Sequence, residues 1–291
     1  TARSPGSTSE STPAEFDYED AIYPENATQN SGPISSAPEP GLYEQSLYMI
    51  GKVAVAVIFP ESDGTHETQS ENWTEGRISD CLSEIEAGLT WWGEQEPRAN
   101  LSFHVQSYGT QATGWEPIAR LQTQESLWVS QIMSGLGYES DSHLEQVAAF
   151  NNDEINRQGA DWGFTIFVVD SFNDSDGTFG DGEYFAYAYV GGPFQVMTYD
   201  NDGWGIAMMR WVCAHETGHI FWATDEYDEL PRESSGYLNV TDGDGQSESE
   251  DCIMKILPPG GVCTWTRGQV GWWDSDGDNI LDPVDTTPNT T

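Results

Sequence analysis

The stretch His215-Glu216-Thr217-Gly218-His219 holds the residues best suited to chemistry in this chain. On a helix, positions four apart share one face one turn apart, so the two imidazoles can grip one zinc ion with Glu216 beside them. A hydrolytic zinc takes three protein ligands and keeps one open position, so a third ligand must follow, and Asp225 stands ten residues after His215. Zinc brings the pKa of water down towards about 7 and polarises a carbonyl, while a carboxylate moves the proton from water to a leaving amine. Glu216 is the expected catalytic base.

A second group is built from oxygen. Asp274, Asp276, Asp278, the backbone carbonyl of Ile280, Asp282 and Asp285 place oxygens at alternate positions and end in a carboxylate at the twelfth, the pattern of a calcium loop. Asp174, Asp176, Asp181 and Glu183, in a glycine-rich stretch, form a looser second calcium candidate. Cys252 and Cys263 bracket a Pro-Pro-Gly-Gly turn that would bring them together as a disulfide. Cys81 and Cys213 are then left either to pair or to stay buried thiols. Six sequons, at Asn26, Asn72, Asn100, Asn173, Asn239 and Asn289, are glycosylation candidates on an extracellular surface.

These residues need a frame to hold them. Residues 1–46, rich in Ser, Thr, Pro, Gly and Glu, hold too little apolar surface to offset the entropy of ordering and read as a flexible arm or linker. The β-branched run 52–59 reads as a buried strand stopped by Pro60. Ile78, Cys81, Leu82, Ile85, Leu89 and Trp92 recur at three- and four-residue steps and predict a helix over 72–95. Strands are expected at 101–108 and 162–169, with helices at 127–136 and 143–158. An edge strand around 184–190 bends at Gly191-Gly192-Pro193 into 194–199, and a helix over about 204–222 carries the histidines. Strands alternating with helices make an α/β (α+β) domain, a mixed sheet with helices packed on it. The edge strand could hold an extended peptide as one more strand.

The run His215-Glu-x-x-His219-x-x-Trp222-x-x-Asp225 resembles the zinc motif of the metzincin metalloproteases, His-Glu-x-x-His-x-x-Gly-x-x-His/Asp. The resemblance implies a mixed twisted sheet, a zinc helix and a smaller irregular C-terminal subdomain. It also implies a methionine in a tight turn beneath the metal, and Met254, within 252–256, takes that place. Ile256 stands where some members have a tyrosine that holds the transition state. Trp222 replaces the motif's turn glycine, where a side chain is costly in a left-handed conformation. If the backbone bends elsewhere, Glu226 or Asp228 become rival third ligands; the spacing favours Asp225. Asp225-Glu226-Tyr227 is also similar to the Asp-Glu-Tyr of the bacterial IgA-peptidase-like branch, where the aspartate comes one residue later. The loop 274–285, together with Pro288, resembles a thrombospondin type 3 repeat, with Asp285 and Asn279 where an EF-hand has glutamate and glycine.

Forty-nine acidic against ten basic side chains give a net charge of −39, a field that repels nucleic acid and anionic lipid. No apolar run approaches the roughly 18 residues of a membrane helix. The acid excess, with only Lys52 and Lys255 as lysines, fits both a protein hydrated in concentrated salt and an acidic secreted protein that binds calcium. The chain starts at Thr1 without a signal pattern, so a removed leader or excision from a longer extracellular polypeptide is expected. The layout is an arm (1–46), a catalytic domain (47–271) and a calcium-binding acidic segment (272–291). The expected function is a secreted or cell-surface zinc endopeptidase acting on protein or peptide, stabilised by calcium. The alternative is an extracellular surface or matrix protein that keeps a metzincin fold for binding or self-assembly. Glu216 separates the two, because a pure binder needs no base between two ligands.

Overall fold

The computed structural model describes residues 14–15, 21–22, 44–180, 182–228 and 231–287. In chain order the strands and helices are β1 (Ala14–Glu15), β2 (Ala21–Ile22), β3 (Lys52–Ser62), α1 (Glu75–Gln95), β4 (Ser102–Thr113), α2 (Ser126–Gly135), α3 (His143–Gln158), β5 (Trp162–Val169), β6 (Ala186–Tyr189), β7 (Phe194–Thr198), α4 (Met209–Ile220), β8 (Ser234–Ser235), β9 (Val240–Thr241), β10 (Ile256–Leu257) and α5 (Thr264–Gln269). The main sheet runs β2-β6-β7-β5-β3-β4 and is parallel except where β6 meets β7. This is the mixed α/β class expected from the alternation of strands and helices.

Side-chain alternation on the central strands builds two cores. Val53, Val55, Val57 and Phe59 of β3 and Phe164, Ile166 and Val168 of β5 face α1 and α4. Ala56, Ile58, Phe167 and Val169 face α2 and α3. α1 starts at Thr74, whose hydroxyl accepts from the Arg77 amide, and buries Cys81, Ile85, Leu89 and Trp92. Gly88 lets α1 approach α4, since a Cβ there would stand 2.3 Å from the Arg210 carbonyl. The Trp92 indole N–H donates to the Ala214 carbonyl at 2.7 Å, one residue before His215.

Several boundaries differ from expectation. Pro60 does not stop β3, which continues to Ser62 along β4 after its pairing with β5 has ended at Ile58. The missing N–H of proline then removes no ladder bond on the β5 side. α4 begins at Met209 rather than near 204, because Asn201, Asp202, Gly203 and Gly205 all hold positive φ, which no right-handed helix accommodates. Two stretches within 1–46 are strands: β1 pairs with β10 and β2 with β6. Beyond 271 the chain stays in contact with the main core, for Leu281 is buried in the same core as α4 and Trp272 donates to the Met49 carbonyl at 2.6 Å.

Candidate metal centre

α4 is sealed on nearly every side, and His215, Glu216 and His219 have no exposed surface. Polar groups so placed cost free energy unless something answers them. Nδ1 of His215 lies 2.7 Å from the Ile253 carbonyl, and Nδ1 of His219 lies 2.9 Å from the Ala223 carbonyl. A carbonyl only accepts, so each Nδ1 carries a proton and each ring turns its Nε2 inwards, where an unprotonated Nε2 would offer a lone pair. The two Nε2 atoms are 3.2 Å apart, and Oδ1 of Asp225 lies 3.3 Å from that of His215 and 3.4 Å from that of His219. With both Nε2 atoms unprotonated, these are three acceptors aimed at one another, which repel. Both Asp225 oxygens are buried and accept no hydrogen bond among the described residues. A cation at the centre answers both facts. Bonds of about 2.0–2.1 Å, those of zinc to imidazole and carboxylate, give a tetrahedron with edges of about 3.3–3.4 Å. The three atoms thus match one face of such a tetrahedron.

The rivals to Asp225 point elsewhere. The Glu226 carboxylate accepts from Cys263 Sγ at 3.0 Å, Thr266 Oγ1 at 3.0 Å and the Gly243 amide at 3.3 Å, and burial pushes its pKa up to about 9. Asp228 is exposed and pairs with Lys255 at 2.6 Å.

Asp225 reaches the histidines because α4 ends as it would with glycine. The Ala223 amide donates to Gly218 and the Trp222 amide to His219, the paired bonds of a Schellman turn, with Trp222 in its left-handed position at φ +70°. The conformation costs roughly 1–2 kcal/mol in a non-glycine residue. Packing offsets it, for the indole is buried against Gly191, whose amide donates to the His219 carbonyl at 2.9 Å. Met254 packs under the helix, its Sδ so near Gly218 that a Cβ there would stand 2.5 Å away. Backbone on either side of that methionine serves the site: the Ile253 carbonyl orients His215, and the Met254 carbonyl accepts from the Glu226 amide at 2.9 Å.

At the C-terminal loop, Asp274, Asp276 and Asp278 come together with oxygens within 4.8 Å of one another. Oδ2 of Asp276 and of Asp285 are buried and accept no hydrogen bond among the described residues. Asn279 takes φ +73° where an EF-hand has glycine. Asp282 is turned to another task, its two oxygens accepting from the amide and hydroxyl of Ser275. The Ile280 side chain is exposed. Arg98 reaches Asp274 at 2.8 Å and so docks the loop on the turn after α1.

The looser calcium candidate does not assemble among the described residues. Asp174 accepts from the amides of Asp176 and Gly177, Asp176 accepts from Thr178, and neither joins Glu183 in a metal-sized group. Asp181 lies outside the described residues.

All four cysteines are buried thiols in the structure, the alternative left open for Cys81 and Cys213. The sulfurs of Cys252 and Cys263 approach to 3.5 Å and share Thr266 and Glu226 as neighbours. Cys252 holds the Cys263 thiol below its ordinary pKa by hydrogen bonding, and burial holds Cys252 well above it. Cys213 faces Gln195 on β7 instead of Cys81, with the two sulfur and nitrogen atoms 3.6 Å apart. Asn72, Asn100 and Asn239 are exposed. Asn173 is a poor acceptor for a glycan because its amide nitrogen donates to Ser70 and Glu71. Asn26 and Asn289 lie outside the described residues.

Sequence reading missed the carbonyls of Ile253 and Ala223, since a backbone acceptor leaves no mark on residue type. It named Tyr227 within the Asp-Glu-Tyr run but gave it no role, and the ring stacks on His215 with centroids 6.5 Å apart. Its place directly after Asp225-Glu226 was the available signal. No protein-family model matches the chain, and no curated protein matches it.

Proposed function

We propose that this chain is a secreted zinc-dependent endopeptidase related to the metzincins. The observation that carries the reading is the triangle of His215 Nε2, His219 Nε2 and Asp225 Oδ1, with edges of 3.2–3.4 Å, on a helix that also carries Glu216. His215, His219 and Asp225 would hold the zinc, and Glu216 would move the proton. A bound zinc ion supplies Lewis acidity, lowering the pKa of water and polarising the scissile carbonyl. The carbonyls of Ile253 and Ala223 fix the tautomer and turn each Nε2 towards the metal position, which raises their basicity as ligands. Glu216 takes a proton from the attacking water on its carboxylate and delivers it to the leaving amine nitrogen. Asp225 leaves the site one formal negative charge, so the three ligands together neutralise only half of a divalent ion.

The loop 274–285 serves in this reading as a calcium site that braces the body through Arg98. Calcium and the acidic surface both suit an extracellular, salt-rich setting. The test is digestion of a broad peptide library by protein stripped of metal and then reloaded with zinc. Cleavage that is lost on stripping and returns with zinc supports the proposal. A protein that binds zinc yet cleaves nothing fits the alternative of a binding module.

A further inference from the structure

The main sheet ends on one side in β4, a strand of 12 residues that among the described residues pairs only with β3. Its sequence holds no lysine, arginine, acid or proline, the residues that usually guard an outer strand against further pairing. The Ser102 amide donates inwards to the Gly51 carbonyl at 2.9 Å, so by the alternation of a parallel ladder the amides and carbonyls of Phe103 and Val105 face outwards. The row closes at Ser107, whose carbonyl accepts from the Gln106 side chain at 3.0 Å, and a register shift follows, with Gly109 at φ +61°. Beside the open part of that row runs a groove of about 490 Å³ between β4 and α1. Leu89, Leu101, Phe103 and Val105 give it an apolar floor, and Glu86 and Glu94, both exposed, stand on its rim.

We infer that this groove and the outer edge of β4 dock an extended segment of a partner protein in which an apolar residue is flanked, two places away on each side, by lysine or arginine. An added strand bonds its backbone to the Phe103 and Val105 row and sends alternate side chains over the α1 face. Glu86 and Glu94 stand eight positions apart on α1, about 12 Å along the helix axis, and side chains four apart on a strand are separated by about 13 Å. Cations at those two places therefore reach the two carboxylates, while the residue between them seats on the apolar floor. The helix supplies no cation of its own to the rim, for its one basic residue, Arg77, lies in its first turn and pairs with Asp170 at 2.7 Å. A second copy of the chain is a poor occupant, because pairing β4 with β4 would bring the same carboxylates together on two chains of net charge −39. The surface does not rest on the reading of the metal centre: β3, β5 and β7 separate β4 from β6 in the sheet.

The experiment uses the full chain carrying Glu216→Gln, so that no peptide is consumed, and two synthetic heptapeptides: Thr-Lys-Thr-Val-Thr-Lys-Thr and the same sequence with glutamate for both lysines. Binding is read by fluorescence anisotropy, and its place by hydrogen exchange. The lysine peptide should bind at least tenfold more tightly than the glutamate peptide, and at saturation it should slow exchange at the Phe103 and Val105 amides by about tenfold or more. The amides of β6 should not respond. Adding Glu86→Lys/Glu94→Lys, two changes at exposed positions, should reverse the preference between the peptides. Equal affinity for the two peptides, an unchanged preference in the charge-reversed chain, or protection that arises at β6 instead of β4 overturns the inference. So does protection of Phe103 and Val105 before any peptide is added. A dimer in sedimentation would then identify the occupant as a second copy, and a monomer would identify it as the chain itself.

Discussion

The Trp222 indole lies so close to the backbone of Gly191 that a Cβ added at Gly191 would stand 2.4 Å from the ring. The residue that departs from the expected turn glycine is therefore packed against a glycine elsewhere, which itself holds φ +83°. Strain at one position and space at the other are matched.

Gly191→Ala should cost about 2–4 kcal/mol, combining overpacking with a left-handed alanine. Trp222→Gly should relieve backbone strain yet lose a buried aromatic, for a net loss of about 2–4 kcal/mol. Urea unfolding of the metal-saturated variants checks both values. A stabilised Trp222→Gly would show that the indole contributes nothing to the turn.

The ligand set predicts a clear ranking among three neighbouring acids. Asp225→Ala should lower zinc affinity by more than the roughly 10–100-fold that accompanies loss of an outer hydrogen-bond partner. Asp228→Ala should leave the affinity unchanged, because that side chain is exposed and pairs with Lys255. Glu226→Ala should weaken the fold before it weakens the site, since its carboxylate is tied to Cys263, Thr266 and Gly243. Competition titrations with a chromogenic chelator separate these outcomes. Loss of zinc from Asp228→Ala alone would displace Asp225 from its role.

Calcium removal should destabilise the chain as a whole, because the loop 274–285 is joined to the core through Leu281 and to the turn after α1 through Arg98. At a calcium concentration about 100-fold above Kd, binding contributes about 2.7 kcal/mol, or several degrees in Tm. Molar salt should recover part of the loss by screening the clustered carboxylates. The measurement is a thermal melt with a calcium-selective chelator at low and at molar salt, with zinc resupplied. An unchanged Tm in all conditions would make the loop a solvated tail.

The thiols should differ in their response to a small-molecule disulfide such as oxidised glutathione. Cys252 and Cys263, 3.5 Å apart, should close to a disulfide, releasing two glutathione thiols and leaving Cys81 and Cys213 reduced. Peptide mapping by mass spectrometry reads the pairing. A Cys81–Cys213 bond formed first would contradict the arrangement in which Cys213 faces Gln195.

Much of the frame was legible because its cause is local. The period of Ile85, Leu89 and Trp92, the β-branched run of β3 and the four-residue histidine spacing each follow from a few neighbouring residues. What was not legible depended on partners distant in sequence. Pro60 continues a strand because the pairing of β3 with β5 ends at Ile58, and Trp222 adopts a glycine's conformation because Gly191 leaves room for its ring. The segment 1–46 contributes strands despite its composition because β6 and β10 supply the pairing that its own residues lack. Asp282 was expected at the calcium loop on spacing alone, and the contact with Ser275 that occupies it has no signature in the pattern.

The central claim is that one zinc sits among His215, His219 and Asp225 and that Glu216 moves the proton. The most direct measurement is metal content together with peptide hydrolysis for the unmodified chain and for Glu216→Gln. About one zinc per chain is predicted in both, with hydrolysis reduced by ~10²–10⁴-fold or more in the variant. Zinc well below one per chain in the unmodified protein, or undiminished hydrolysis by Glu216→Gln, would contradict it.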